Sequence, residues 1–499
     1  MSPLNLYRSS ALMMDFYQLT MAQGFWKAQM DQREAVYHLN FRRPPFNGGI
    51  TLAAGLQTLV EALEQFRFTN EDIQYLKTLK DSSGNSLFEE GFLKHLKQME
   101  LSCHIDAVEE GEIMFPYEPL VRVQGPLIQC QLIESLLLNI INFQTLIATK
   151  AARIFIAANG APILELGFRR AQGLDGALSA SRAAYIGGCA ATSNVMAGKV
   201  YGIPVRGTMA HSWVMAFDNE LEAFETFAKT MPSQCVFLVD TYHTLEGVKY
   251  AIEVGRKIRS LGYQFLGVRL DSGDLAYLSI EARKMLDEAG FKDAKIIASN
   301  ELDELIIRDL IQQGAQINVW GVGTHLVTSQ GQSALDGVYK MSLLKDPQGV
   351  WKYKLKCSEQ MLKTTNPGML QVRRFQNNSS YSGDAIFDLN QPPTDQDWVI
   401  VDPLDPTKKK PLKNHKTHRD LLIPIFREGK RVYNLPSLDK IKQKVCHELS
   451  FFHKGLKRFL FPHQYPYGLE KSLYEHKIQL IEKLRNSHEK SINYTGLAK

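Results

Sequence analysis

A strand-then-helix rhythm between about residues 162 and 323 constrains this fold more than any other feature of the sequence. Short aliphatic or β-branched runs are each followed by a small or polar residue and then by a helix-like stretch. The runs are PILEL at 162–166, IPVRGT at 203–208, CVFLVD at 235–240, FLGVRLD at 265–271, KIIAS at 295–299 and INVWGVG at 317–323. Near-continuous apolar strands are typical of a parallel sheet covered by helices on both faces. Their number favours a (β/α) barrel over a short open sheet.

The segments on either side of this rhythm have a different pattern. Helical stretches are predicted near 11–28, 55–67 and 89–98, and strands near 34–41 and within 105–126. After about residue 346 strands and turns return, and the C-terminal end looks helical. We therefore expect an α/β protein with an irregular (β/α) TIM-like barrel. The predicted domains are an N-terminal α+β side domain at 1–130, the barrel at 131–345 and a C-terminal cap region at 346–499.

Composition excludes several other classes of protein. Hydrophobic residues make up 44% of the 499 residues and charged residues 22%, which excludes a disordered chain, a collagen-like repeat and a coiled-coil rod. A net charge of +5 is too weak to indicate a nucleic-acid partner. The six cysteines form no CxxC pair, the N-terminus does not read as a secretory signal, and polar residues interrupt the apolar stretch 127–148. We expect a cytoplasmic protein with no membrane span.

A basic run, KKKPLKNHKTHR, occupies residues 408–419. Its composition predicts a solvated β-hairpin or loop, and a phosphate-rich partner is the alternative.

Polar side chains or glycines follow most of the predicted strands. Active sites of (β/α) barrels are built at the carboxyl ends of the strands, so we expect these residues to share one rim. They are Arg169, Arg170, Thr208, His211, Asp240, Arg269, Asp271, Ser299, Asn300, Gly321, Gly323 and Thr324. Cations, carboxylates, a histidine and a glycine turn together predict a site for a polyanion with Mg²⁺.

Each of these motifs has a plainer interpretation. Asp271 and Asp274 in LDSGD suit Mg²⁺ or ribose hydroxyls, but the same residues also suit a turn and a helix start. His211 is either a core histidine or a nucleophile towards phosphate. The GVGT turn at 321–324 either cradles a phosphate or only turns the chain. The adjacent arginines at 169 and 170 are either surface residues or a fork for carboxylate or phosphate.

Six ordered blocks of sequence resemble one enzyme family. They are MMDFYQLTMAQGFW at 13–26, HLNFRRPPFNGG at 38–49, ELGFRRAQGLDGALSASRAAYIGG at 165–188, GIPVRGTMAHSWVMAF at 202–217, VRLDSGDL at 268–275, and WGVGT with LDGVYK within 320–340. Together they resemble nicotinate phosphoribosyltransferase. The resemblance implies that nicotinate condenses with phosphoribosyl pyrophosphate to give nicotinate mononucleotide and pyrophosphate, with Mg²⁺ as cofactor and ATP as co-substrate.

The resemblance also implies roles for individual residues. His211 matches the phosphorylated histidine, and Tyr17 and Phe168 match the two rings that stack on the pyridine. Tyr17 would reach the site of a partner subunit, which implies a homodimer with active sites at the interface. Thr208 and Arg269, supported by Arg170, would hold nicotinate.

The remaining matches concern phosphoribosyl pyrophosphate. Asp271 would be catalytic, holding ribose hydroxyls and Mg²⁺. The phosphoribosyl pyrophosphate contacts would be Arg169, Asp240, Ser299, Asn300, Gly321, Gly323 and Thr324.

Two other functions compete with this interpretation. Nicotinamide phosphoribosyltransferase shares the histidine, but its equivalent of FRRA has one arginine followed by glycine, whereas Arg169 and Arg170 supply two cations here. A catalytically silent nucleotide-sensing homologue or scaffolding protein is the other alternative. Four intact residues together argue against it: His211, Arg269, Asp271 and Thr324. One departure from many relatives is His243, which stands where they have an aspartate.

Overall fold

The computed structural model describes residues 11–393, 398–413 and 415–494. The described residues form two compact units, which we call unit 1 and unit 2. Unit 1 takes its residues from 1–145, 335–437 and 447–499, and unit 2 from 146–334 and 438–446.

The helices and strands follow one another along the chain in three groups. The first group is α1 (Phe16–Lys27), β1 (Glu34–Phe41), β2 (Thr51–Leu52), α2 (Leu56–Glu64), α3 (Asn70–Thr78), α4 (Glu90–Gln98), β3 (His104–Val108), β4 (Ile113–Met114), β5 (Val121–Pro126), α5 (Leu127–Leu132) and α6 (Glu134–Ala157). The second is β6 (Ile163–Glu165), α7 (Leu174–Ile186), β7 (Ala191–Thr192), α8 (Val195–Tyr201), α9 (His211–Met215), α10 (Glu220–Thr230), β8 (Val236–Leu238), α11 (Thr244–Ser260), β9 (Gly267–Leu270), α12 (Leu275–Glu288), β10 (Lys295–Asn300), α13 (Glu304–Gln312), β11 (Val319–Val322) and α14 (Thr324–Val327). The third is β12 (Gly337–Lys345), β13 (Trp351–Tyr353), β14 (Leu370–Gln376), β15 (Tyr381–Asp388), β16 (Val399–Val401), β17 (Lys409–Pro411), β18 (Thr417–Asp420), β19 (Leu422–Arg427), β20 (Lys430–Arg431), α15 (Leu438–Phe451), β21 (Tyr467–Glu470) and α16 (Lys471–Tyr494).

Unit 2 is built on a parallel sheet with the strand order β7-β6-β11-β10-β9-β8. The predicted α/β layer is therefore confirmed, and five of the six predicted strand runs form strands. The barrel is not confirmed, because in the described part of the chain no ladder joins β8 to β7 and the sheet is not closed.

The sixth predicted strand run, IPVRGT at 203–208, is not a strand. It makes a single parallel bridge between Val205 and Thr192, next to the two-residue strand β7. Pro204 lies within the run and has no backbone N–H, so it cannot donate to a ladder. The run thus places Thr208 near the sheet without extending it.

Helices α12 and α13 begin soon after strands β9 and β10 because polar residues cap them. Asp274 and Asp303 each accept hydrogen bonds from backbone N–H groups in the first turns of α12 and α13. Helix α13 buries Ile307 and Leu310, and the chain turns just beyond it at Gly314, where φ is +84°. These short links hold the strand ends and the residues that follow them in fixed positions.

Unit 1 contains two large sheets. The seven-stranded sheet has the order β13-β12-β1-β5-β3-β19-β20 and is antiparallel throughout. The six-stranded sheet has the order β17-β16-β21-β15-β14-β18, in which only the β15–β21 pair is parallel. Strands from both ends of the chain therefore share one sheet. The predicted strand at 34–41 is confirmed as β1, which lies between β12 and β5.

The basic run at 408–419 forms two strands instead of the predicted hairpin or loop. Strand β17 pairs with β16, and β18 pairs with β14, so they lie at opposite edges of the six-stranded sheet. Most of the described side chains of the run are exposed, as its charge predicts.

Helix α6 is the one described helix that is long and apolar enough to cross a membrane. Its most apolar stretch is 72% buried inside the protein, which is typical of a core helix. The apolar run 127–148 is also divided, since α5 ends at Leu132 and α6 begins at Glu134.

Candidate active site

Arg269 lies at the centre of a polar cluster at the carboxyl ends of the unit 2 strands. From β9 its guanidinium donates from Nε to Ser299 Oγ over 2.7 Å, from Nη1 to Thr208 Oγ1 over 3.1 Å and from Nη2 to Asp271 Oδ1 over 2.9 Å. A guanidinium has five N–H donors. Three are used here by described residues, so one N–H on Nη1 and one on Nη2 stay available to a ligand.

Asp271 is held as a charged carboxylate beside Arg269. Burial alone raises its pKa, but hydrogen bonds from the Ser299 hydroxyl and from Arg269, together with the arginine charge, lower the pKa below its usual value. Its second oxygen, Oδ2, lies 3.6 Å from Nε2 of His211. The carboxylate therefore connects the arginine with the histidine.

His211 begins α9, and its two ring nitrogens face different side chains. Its Nδ1 lies 3.1 Å from the hydroxyl of Thr241, and its Nε2 faces Asp271. The side chain is 40% exposed, which does not fit the alternative of a core histidine. A carboxylate at Nε2 favours the tautomer with its proton there and leaves the lone pair on Nδ1.

Asp240, just after β8, holds the loop after β9 that carries Asp271. Its Oδ2 accepts from the backbone N–H of Asp271 over 2.9 Å and from the Ser272 hydroxyl over 2.6 Å. Its Oδ1 is buried and has no hydrogen-bond partner among the described residues. Burial of Glu220, reinforced by the charge of Asp240, raises the pKa of Glu220 to about 7.

The turn that carries Phe168, Arg169 and Arg170 is exposed. It is a single 3₁₀ turn after β6, and Phe168 is 43% exposed. Within the described residues neither arginine side chain makes a hydrogen bond or ion pair, so both cations are available. The buried Glu165 fixes the start of this turn. Its carboxylate accepts hydrogen bonds from the N–H of Gly167 and from the hydroxyls of Ser181 and Thr192.

The ends of β10 and β11 lie side by side. Ser299 pairs with Gly321, and a Cβ at Gly321 would lie 2.7 Å from Cδ1 of Leu166, so packing explains this glycine. A Cβ at Gly323 would lie 3.2 Å from the Leu166 carbonyl oxygen, again a tight contact. Thr324 follows at the start of the short helix α14.

Asn300 has a strained backbone at the end of β10. Its φ is +142°, a conformation that residues with a side chain rarely adopt, and its Oδ1 accepts from the N–H of Glu301 over 2.8 Å. Such strain concentrates at functional sites. Glu301 in turn lies 2.8 Å from Nε2 of His325.

Tyr17 belongs to unit 1, in α1, and is 45% exposed. Burial of part of the ring and the neighbouring Glu134 raise the pKa of Tyr17 to about 12. The phenol is therefore neutral at physiological pH.

Few of the described side chains are free to bind a metal ion at this site. No group of three or more His, Cys, Asp or Glu side chains in the described ranges could hold an ion. Both oxygens of Asp271 face protein groups, and Asp274 caps α12. The unpartnered Oδ1 of Asp240 does fit Mg²⁺, which proteins often hold through one or two carboxylates plus substrate phosphates.

The structure thus brings together six of the predicted residues in one cluster: Thr208, His211, Asp240, Arg269, Asp271 and Ser299. Sequence reasoning missed Glu165, Glu220, Thr241 and Ser272. The position of Thr241 directly after the CVFLVD strand is a signal that could have found it. His243, the departure from many relatives, accepts from the N–H of Glu246 and caps α11.

Comparison with protein families matches three models in chain order. The N-terminal domain of nicotinate phosphoribosyltransferase matches residues 12–142, the nicotinate phosphoribosyltransferase family model matches 163–354, and the C-terminal domain matches 371–477.

Individual relatives match over nearly the whole chain. Nicotinate phosphoribosyltransferase of Bacillus subtilis is 42% identical over 97% of this chain and 98% of its own length. The Caenorhabditis elegans protein of the same name is 35% identical over 93% of this chain and 92% of its own. A crystal structure of human nicotinic acid phosphoribosyltransferase superposes with a TM-score of 0.80 at 30% identity, over 94% of this chain and 99% of that one.

Proposed function

The chain belongs to the nicotinate phosphoribosyltransferase family, and on that premise we propose that the cluster around Arg269 is its active site. The enzyme joins nicotinate to phosphoribosyl pyrophosphate, forming nicotinate mononucleotide and pyrophosphate in NAD salvage. The observation that carries the assignment of the site is the position of Arg269, which Thr208, Asp271 and Ser299 hold while two of its N–H groups stay available.

Nicotinate would be clamped through its carboxylate. The two available N–H groups of Arg269 form a fork that matches a carboxylate, and the Thr208 hydroxyl beside it orients the guanidinium. Arg170 supplies a second cation from the exposed turn. Phe168 and the partner subunit's Tyr17 would stack on the two faces of the ring, which requires a homodimer with shared sites.

Phosphoribosyl pyrophosphate would bind along the neighbouring strand ends. Asp271 would hold ribose hydroxyls, and the phosphates would lie against Arg169, Asn300 and Thr324 and the backbone at Gly321 and Gly323. Mg²⁺, held by Asp240 and substrate oxygens, would neutralise charge on the departing pyrophosphate.

The chemical step needs positioning more than proton transfer. The pyridine nitrogen is already a nucleophile, so no base has to activate it. It attacks C1 of the ribose as the bond to pyrophosphate breaks, and positive charge develops on the sugar while negative charge grows on the leaving group. Preorganised cations then stabilise the leaving group in the transition state.

His211 would couple the reaction to ATP. In the tautomer with its proton on Nε2, the nitrogen that faces Asp271, the lone pair of Nδ1 attacks the γ-phosphorus of ATP, and the bond from that phosphorus to ADP breaks. The phosphohistidine places new negative charge beside the phosphate end of the site and is hydrolysed later in the cycle.

We also propose a cytoplasmic location. All six cysteines of the chain are unpaired, as is usual for proteins in a reducing compartment.

A product assay tests this function directly. The purified protein is given phosphoribosyl pyrophosphate, Mg²⁺ and ATP with nicotinate, nicotinamide or quinolinate, and nucleotide products are separated and quantified. We expect nicotinate mononucleotide as the main product, and its loss in Asp271→Asn. The matched control is Asp274→Asn, because asparagine still caps α12 and activity should persist. Absence of product from the folded protein, or equal losses in both variants, would overturn the proposal.

A further inference from the structure

Unit 1 contains a small cavity beside β1 that the proposed reaction does not use. It encloses about 20 Å³, which is room for one or two water-sized groups. His38, Tyr117 and Asn366 line it, and each of these side chains is more than nine-tenths buried. Each also has one buried polar atom without a hydrogen-bond partner among the described residues. Buried polar groups are normally hydrogen-bonded, so three unsatisfied atoms on residues that line one cavity indicate a common ligand.

The unsatisfied atom of His38 is a donor. The backbone N–H of Leu370 donates to Nε2 of His38 over 3.1 Å, so Nε2 carries no proton. Burial and then the charge of Arg122 lower the pKa of His38 well below its usual value, so the ring is neutral. A neutral imidazole has its one proton on the other nitrogen, and the unpartnered Nδ1 is therefore an N–H.

The unsatisfied atom of Asn366 is a donor as well. The ammonium of the buried Lys477 donates to Oδ1 of Asn366 over 2.9 Å. An ammonium has no lone pair to offer, so it fixes which end of the amide faces it. The amide nitrogen Nδ2 thus keeps its two N–H groups and has no partner in the described structure.

The third group, the Tyr117 hydroxyl, can donate too. Burial raises the pKa of Tyr117 to about 12, so the phenol keeps its proton. The negative charges of Asp336 and Asp402 also raise this pKa, whereas the positive charges of Arg42 and Arg43 lower it.

Charge near the cavity favours an anion. Arg42 and Lys340 line it. In the described structure the Arg42 guanidinium has no ion-pair partner, and the Lys340 ammonium lies 3.8 Å from Glu134. Lys477, behind Asn366, adds a third cation without a paired carboxylate among the described residues.

We propose that this cavity binds one small inorganic anion of the size of chloride through His38, Tyr117 and Asn366. A water molecule accepts only two hydrogen bonds and must place two protons of its own, so three donors on residues that line one cavity suit it less well than they suit a halide. A halide accepts from all three donors and balances the neighbouring cations. The bound anion has a structural role and takes no part in the proposed reaction.

Two experiments test the site with halides as the probe. Crystals grown in sodium bromide should show an anomalous peak in contact with these three side chains. In solution, the melting temperature should rise saturably with sodium chloride when compared with sodium gluconate at equal ionic strength. A peak absent from the cavity, with a water refined there and no chloride-specific shift, would overturn the proposal.

Substitutions separate binding from general salt effects. Asn366→Asp keeps an acceptor for Lys477 but turns a carboxylate oxygen towards the cavity, so the chloride shift should vanish. The exposed Asn378→Asp makes the same charge change and should keep it. Tyr117→Phe removes only the hydroxyl. It should leave the melting temperature in gluconate equal or higher and raise the half-saturating chloride concentration about tenfold or more. Unchanged chloride responses in both Asn366→Asp and Tyr117→Phe would sink the proposal.

Discussion

Nη1 of Arg269 donates to Oγ1 of Thr208 over 3.1 Å, joining β9 to a segment that forms no strand. Thr208 ends the run that contains Pro204, which makes only one bridge to the sheet. The hydrogen bond therefore anchors the irregular edge of the sheet to an arginine that Asp271 and Ser299 also hold. Three side chains of the cluster therefore hold the Arg269 guanidinium.

The first prediction concerns acid selectivity. A charge-assisted hydrogen bond contributes roughly 1.5 to 3 kcal/mol, so Arg269→Gln should lower kcat/KM for nicotinate about ten- to a hundredfold. Nicotinamide has no carboxylate charge and should lose far less. Arg170→Gln, at a site without protein partners among the described residues, should give a smaller change of the same kind. The measurement is the ratio of kcat/KM for the two substrates, and equal losses for both substrates in both variants would contradict it.

The second prediction concerns ATP. Because the substrate nitrogen, not His211, attacks the ribose, His211→Ala should abolish stimulation by ATP and leave slow, ATP-independent formation of nucleotide. Label from γ-phosphate-labelled ATP should reach the unmodified protein and not the variant. His243→Ala is the control, since His243 caps α11 and should keep the stimulation. Nicotinate-dependent ATP hydrolysis at the full rate in His211→Ala would refute the role.

Much of this cluster could be predicted because parallel strands place their carboxyl ends at one edge of a sheet. The runs ending at Asp240, Asp271 and Ser299 are mostly apolar and bounded by polar residues, and each contains a strand. Their side chains meet for that reason.

Other parts of the site carry no periodic signal. Strand β7 has two residues, too few for a pattern, and the predicted strand at 203–208 makes only one bridge to it. Glu165 ends a strand facing inward, and only the fold shows that it holds the turn before Phe168. The seven-stranded sheet pairs β1 with β12, about three hundred residues later, and such long-range pairing is invisible to local patterns.

The third prediction concerns the proposed homodimer with shared sites. Tyr17→Ala and Asp271→Ala should each be inactive as pure dimers, because every site lacks one residue. In a mixed dimer of a symmetric pair, one site loses both residues and the other is intact. Subunit exchange of equal amounts should therefore restore about a quarter of the unmodified activity. Exchanged dimers without recovery, or a monomer by sedimentation, would contradict this.

The fourth prediction concerns pH and Lys477. Burial lowers the pKa of Lys477 from 10.5 to about 8, so the unfolded chain binds more protons between these values and stability should rise with pH across them. The full difference corresponds to about 3 kcal/mol. The measurement is the melting temperature in gluconate buffer relative to Lys477→Met, in which other groups titrate equally. The melting temperature of the unmodified protein should rise relative to that of the variant from pH 8 to 10. A constant difference between the two would contradict a pKa of about 8 for Lys477.

The last prediction compares two adjacent arginines of β14. Arg374 is fully buried, and it donates to Asp384 over 2.6 Å and to Glu112 over 3.3 Å. Arg373 is partly buried, with 18% of its side chain exposed, and it donates to Asp420 over 2.7 Å.

Removing a partner from a buried ion pair leaves an uncompensated charge, which costs about 3 to 5 kcal/mol. Arg374→Met should therefore lower the free energy of unfolding by that amount, whereas Arg373→Met, which removes a partly exposed pair, should lower it by less. Denaturant unfolding of the full chain, followed by tryptophan fluorescence, measures both. Because the two variants share a strand and a substitution, propensity and size cancel between them. Equal losses of unfolding free energy in the two variants would mean that burial does not determine how much the Arg374 ion pairs contribute to stability.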